Sequence, residues 1–162
     1  MRIISGGQTG VDRAALDVAI ELGNRWGGWC PKGGWAEDFP VPPGLLAKYP
    51  HLKETPGSHP LQRTEWNVRD SNVTLIVTGS SGLQPSIGTT RAHEFAHKHG
   101  KPLCVVDASD AQAPQRAVAW LEKQEKRFGP DMVLGIGGPR ESESPGIYVQ
   151  ARQLLRAIIS RE

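Results

Sequence analysis

Short apolar runs and segments with helical periodicity alternate along this chain. Arg2-Ile3-Ile4 reads as a short strand. Val11, Ala14, Ala15, Val18, Ala19 and Leu22 then fall at i, i+3, i+4, i+7 spacing and predict an amphipathic helix over 11–22. Gly27 to Cys30 reads as a second short strand, and the stretch from Pro31 to His59 shows no period at all. Ser58, His59 and Pro60 look like a helix start leading into 61–71. Val73 to Thr78 predicts a buried strand, followed by a helix from Gly88-Thr89-Thr90 to His99 that stops at Gly100. Strand 102–106, helix 116–128 and strand 132–136 follow, with a last helix opened by Ser144 and Pro145. The inner face of that last helix is Tyr148, Ala151, Leu155, Ile158 and Ile159. Strands that alternate with helices predict βαβ units and a mostly parallel sheet, so the expected fold class is α/β.

In such a sheet every strand ends on the same edge, where ligands bind near a reversal of strand order. Three glycine-rich turns fall there: 5–10, 79–90 and 137–142, each followed by a helix start. Glycine lets backbone approach a ligand closely, and the first N–H groups of a helix favour an anion. Gly6, Gly7, Gln8, Thr9 and Gly10 therefore form a candidate anion cradle, closed by Gly88-Thr89-Thr90 and by Gly138-Pro139-Arg140-Glu141. A tight βα turn with no ligand would use the same glycines. The first turn has neither the Gly-Lys-Ser/Thr ending of a Walker A loop nor the G-x-G-x-x-G spacing of a dinucleotide site.

Composition narrows the function classes. The 162 residues suit one domain over 1–162 with a full core. A net charge of +2 is too small to argue for nucleic acid or an anionic membrane surface. No apolar run approaches the ~20 residues that span a bilayer, and the N-terminus carries no apolar signal region. Cys30 and Cys104 are far apart in sequence and form no C-x-x-C pair, which fits free thiols in the cytoplasm. Five tryptophans exceed what one small core needs and predict a homo-oligomer.

Several polar residues carry candidate chemistry. Asp12 in the first helical turn either balances the helix dipole or accepts from a ligand hydroxyl or N–H. Lys32 offers the point charge that the first turn lacks, unless it is a plain surface lysine. Arg63, Asn67 and Asp70 lie at i, i+4, i+7 and share one helix face, as a ligand surface or as a solvated stripe. Arg140 can hold a phosphate with two parallel hydrogen bonds. His93-Glu94-Phe95-Ala96-His97 matches the H-E-x-x-H zinc pattern, but position 103 is leucine where a third histidine would stand. The helical period also turns both histidines away from the inward face, so no metal and no catalytic residue is expected.

These residues also carry a family resemblance. Ser5-Gly6-Gly7-Gln8-Thr9-Gly10-Val11-Asp12-Arg13, Gly28-Trp29-Cys30-Pro31-Lys32-Gly33 and Arg63-Thr64-Glu65-Trp66-Asn67-Val68-Arg69-Asp70-Ser71 resemble the molybdenum-cofactor carrier proteins. Gly138-Pro139-Arg140-Glu141-Ser142 and Pro145-Gly146-Ile147-Tyr148 extend the likeness across nearly the whole chain. The chain departs from that family's pattern at Gly135, Gly137 and Phe39, and in the serine-rich stretch 79–87. The resemblance implies a single-domain, Rossmann-like three-layer sandwich within the group that includes the LOG ("lonely guy") and DprA proteins. It implies a carrier of a phosphate-bearing small molecule, the molybdenum cofactor (molybdopterin) or a nucleotide, with molybdoenzymes as exchange partners. The alternative is a LOG-like phosphoribohydrolase acting on nucleoside 5'-monophosphates. Its signature is only half present: Gly88-Thr89 lacks a preceding Gly-Gly, and Glu94 falls five residues after Thr89.

Overall fold

A computed structural model describes residues 1–83 and 86–160. The turn at 79–90 therefore contains two residues, Gln84 and Pro85, that lie outside the described residues. The strands are β1 (Arg2–Ile4), β2 (Arg25–Cys30), β3 (Leu52–Glu54), β4 (Val73–Thr78), β5 (Leu103–Asp107) and β6 (Val133–Gly137). The helices are α1 (Val11–Glu21), α2 (Leu45–Lys48), α3 (Pro60–Arg69), α4 (Ile87–Lys98), α5 (Ala113–Phe128) and α6 (Ile147–Ile159). The strands form one sheet in the order β3-β2-β1-β6-β4-β5, and every pair is parallel. The fold is thus α/β with a parallel sheet, as the alternation predicts, in the Rossmann-like arrangement that the resemblance implies.

The main core lies on one face of this sheet. Ile3, Leu75, Val77, Leu134 and Ile136 point into it and meet the apolar stripes of α1, α5 and α6. Each buried side chain of this size is worth about 1.5–3 kcal/mol of transfer free energy, so this face dominates stability. A smaller cluster of Leu16, Cys30, Ala36, Leu45, Tyr49 and Leu52 joins α1 to α2 and the β2–β3 edge. Helices α3 and α4 pack against each other on the remaining face.

The stretch 31–59 differs from its sequence reading. It contains the one-turn helix α2 and the three-residue edge strand β3, paired with β2 in the register Gly28↔Leu52. Elements this short complete no period, and Leu52 alone of β3 is buried, so the hydrophobic pattern carried no trace of them. At α4 the helix start comes earlier than Gly88. Ser86 is the N-cap, its hydroxyl accepting from the Thr89 N–H at 3.1 Å.

Candidate ligand-binding site

The reversal of strand order falls between β1 and β6, and β4 lies next to β6. The turns after these three strands are consequently neighbours on one edge. Between them, and beneath α3 and α4, opens a cleft of about 540 Å³, within the range of roughly 300–1,000 Å³ usual for small-molecule sites.

Its charged end is built by α1, α3 and the turn after β6. The Arg63 guanidinium donates to the Gly6 carbonyl at 2.9 Å and lies 3.8 Å from the Asp12 carboxylate. Burial pushes Asp12 up to about 6; Arg63, the backbone N–H groups of Gln8 and Gly138, and Arg13 oppose that rise without cancelling it. Burial also lowers the pKa of Arg63, Asp12 counteracts this, and the charge of Arg140 lowers it further. The Arg140 guanidinium carbon lies 5.3 Å from the centroid of the Trp35 ring. Against the rise that burial causes, hydrogen bonds from Ser142 and Thr9 and the charge of Arg140 hold Glu37 below the usual carboxylate range. Among the described residues no carboxylate lies within 4 Å of the Arg140 charge. A cation that lines a cleft without a direct ion pair leaves its donors open to an anion.

The rest of the α3 stripe docks the helix. Asn67 accepts from the Trp29 N–H at 2.8 Å and donates to the Trp29 carbonyl at 3.0 Å. β1 stops pairing with β2 at Ile4↔Gly27, so the Asn67 amide supplies the partners that a longer strand would have given Trp29. Asn67 still lines the cleft. Asp70 does not; it accepts from the Trp29 indole at 2.7 Å and from Arg69 at 2.8 Å. Lys32 is exposed and lines neither this cleft nor its smaller neighbour.

The glycine turns divide in the same way. Gly6, Gln8, Gly88, Thr89 and Gly138 line the cleft. Gly7, Pro139 and Thr90 do not. The Thr90 hydroxyl is used by the carbonyls of Leu83 and Ser86, both at 3.1 Å, and the Pro139 carbonyl accepts from the Val11 N–H at 3.3 Å. That last bond joins two of the turns directly. Gly10 and Gly138 permit the crossing, because a Cβ on Gly10 would strike the Pro139 carbonyl and one on Gly138 would strike the Val77 carbonyl and Val11. Thr9, Gly10 and Glu141 line a second cleft of about 370 Å³ with Arg13, Asp17 and Tyr148. Glu141 caps α6 there, accepting from the N–H groups of Gly146 at 2.5 Å and Tyr148 at 2.9 Å.

His93 and His97 stand with ring centroids 5.9 Å apart on α4. Among the described residues no group of three or more His, Cys, Asp or Glu side chains could hold a metal ion. Among those residues, too, no helix is long and apolar enough to cross a membrane. Thr74, Gly135 and Gly137 line the cleft and were not among the sequence candidates. A signal existed: two glycines inside a strand mark a place where something must come close to the backbone.

The model of the circularly permutated YpsA SLOG family matches residues 3–159. A crystal structure from Syntrophus aciditrophicus SB, of a protein named "Putative molybdenum carrier protein", superposes with a TM-score of 0.83 at 38% sequence identity. That match covers 98% of this chain and 94% of the other. Among curated proteins none matches significantly.

Proposed function

Because the chain belongs to the circularly permutated YpsA SLOG family, we propose that it is a binding protein for a phosphate-bearing small molecule. The observation that carries this reading is Arg140, a cation lining the 540 Å³ cleft with no direct ion pair among the described residues, near enough to the buried Arg63 to lower its pKa. The cargo is molybdopterin, the organic part of the molybdenum cofactor, or a nucleotide in its place. The 38% identical protein named as a molybdenum carrier supports the first. Molybdoenzymes are then the exchange partners. The anion lies against Arg63 and Arg140, with Gly6, Gln8 and Gly138 forming the backbone wall and Gly88-Thr89 the far side. The hydrolase alternative finds less support, since Glu94 lies outside the cleft and pairs with Arg91 at 2.7 Å.

Calorimetric titration of the purified chain with molybdopterin and with AMP tests the reading. One saturable site per chain for either compound is expected. Failure of both to bind overturns it, and release of free base from a nucleoside monophosphate would favour the hydrolase. The tryptophans at 26, 29, 35, 66 and 120 are all half-buried, which supports a homo-oligomer. A monomer mass by light scattering at micromolar concentration would remove that part. The two free cysteines, Cys30 and Cys104, support a cytoplasmic setting.

A further inference from the structure

Behind its charged mouth the cleft continues along the face of the sheet, and the chemistry changes. Thr74 on β4 is in register with Gly135 on β6, and Ile76 with Gly137. These four share the sheet face opposite the main core, because their strand neighbours Leu75, Val77, Leu134 and Ile136 fill that core. Two of the four have no side chain; Ser71 stands over Gly135, 3.1 Å from where a Cβ there would lie, and the bare backbone of the floor is at Gly137. The roof is mainly apolar, with Leu61 and Val68 of α3 and Ala92 of α4 beside Thr64 and Asn67. A Cβ placed on Gly137 would meet nothing nearer than Asp12 Oδ1 at 3.7 Å. The result is a slot where a packed layer of side chains would otherwise lie.

Two polar atoms of the residues lining this space have no partner among the described residues: Thr74 Oγ1 and Gln8 Nε2. Both residues are only 3% exposed. Gln8 Oε1 is already committed, accepting from the N–H groups of Thr9 at 3.0 Å and Glu37 at 2.9 Å. Its amino group is therefore left to something else. Buried hydrogen-bonding groups are seldom left unpaired. An alkyl chain would satisfy neither atom, and a sugar would press its hydroxyls against Leu61, Val68 and Ala92. A flat ring with apolar faces and a hydrogen-bonding edge fits both the slot and the two atoms.

We propose that this inner slot seats a heteroaromatic ring, its edge bonded by Thr74 Oγ1 and Gln8 Nε2, while the anionic tail of the same molecule reaches Arg63 and Arg140. The assignment rests on the binding reading above and adds which end of the ligand goes where. Thr74 and Gly137 become the residues that decide ring preference.

The test compares AMP, neopterin and ribose 5-phosphate as probes by calorimetry, with melting curves to confirm folding. AMP, which carries both ring and phosphate, is expected to bind wild type at least about tenfold tighter than ribose 5-phosphate, which lacks the ring, and than neopterin, which lacks the anion. Thr74→Val should weaken the ring compound roughly threefold to tenfold and leave ribose 5-phosphate within about twofold. Gly137→Leu should abolish the ring preference by filling the slot. If that variant does not fold, Gly137→Ala takes its place with a smaller loss in the same direction. Equal binding of all three probes to wild type overturns the assignment, as does ring preference that survives Gly137→Leu. If AMP loses affinity in Thr74→Val but not in Arg140→Ala, the slot stands and the anion reading of the mouth falls. If none of the three probes binds, the slot assignment falls, and the binding reading falls with it if molybdopterin does not bind either.

Discussion

The Asp12 carboxylate and the Arg63 guanidinium face each other at 3.8 Å, joining the first turn of α1 to α3 with side-chain exposures of only 14% and 7%. At that distance the pair is coulombic rather than hydrogen-bonded, and it does not offset the cost of removing the carboxylate from water. Hence Asp12 rises from 3.8 to about 6. The folded state then holds a proton on this group, between pH 4 and 6, that the unfolded chain releases. Its contribution to stability is present below about pH 4 and is lost as pH rises through 6, by an amount of order 3 kcal/mol. Asp12→Asn should therefore gain stability relative to wild type between pH 4 and 7, with no further change above about 7. Urea unfolding of both proteins at pH 4.5, 6 and 7.5 measures the difference. A constant difference across that range would show that Asp12 does not titrate there.

Adjacent glycines of the first turn should respond differently to a side chain. A Cβ on Gly6 points at Arg63 and at Asp12 Oδ2, 3.0 Å away, whereas one on Gly7 points at Leu52 and Leu45 at 3.1 and 3.2 Å. Gly7 also has φ near 76°, a region that side chains with a Cβ avoid. Gly7→Val should therefore lower the melting temperature by damaging the small core around Leu45. Gly6→Ala should cost less stability while displacing Arg63 and weakening AMP or molybdopterin by about tenfold or more. The reverse ranking of the two melting temperatures would show that the cradle is oriented otherwise.

That contrast also shows how much the sequence revealed. The turn at 5–10 and the helix after it were legible, since periodicity in 11–22 is a local property. Which glycine faces the cleft was not, because it depends on where Leu45 and Leu52 pack, two elements with no period of their own. Arg63 and Asn67 were legible as a pair by helical spacing. Their division of labour, one on the Gly6 carbonyl and one on Trp29, depends on β1 ending before β2 does. Thr74 was hidden inside an unbroken buried run, 73–78, in which alternation cannot be seen when both faces are covered.

Glu141 should behave as a structural residue. Its two oxygens accept from the N–H groups of Gly146 and Tyr148 at the start of α6. Glu141→Ala should lower stability by about 0.5–2 kcal/mol, the usual cost of a lost cap, and leave the affinity for AMP unchanged. Loss of affinity without loss of stability would place Glu141 at the ligand instead.

Arg140 should behave in the opposite way. Its guanidinium lies over the Trp35 ring and makes no direct ion pair among the described residues, and cation–π contacts of this kind contribute about 0.5–1 kcal/mol when exposed. Removing it should therefore cost little stability, and it would even relieve the lowering effect that its charge has on Arg63. A hydrogen bond from a charged donor to a bound phosphate contributes roughly 1.5–3 kcal/mol, which is about one to two decades in affinity. Arg140→Ala should thus bind AMP or molybdopterin about 10- to 100-fold more weakly at an unchanged melting temperature. Arg140→Lys should recover only part of that loss, since an ammonium supplies the charge but not the planar pair of donors. Calorimetric titration of the three proteins at fixed ionic strength decides the matter. Undiminished affinity in Arg140→Ala would mean that the anion is held elsewhere and that the cleft mouth is not its seat.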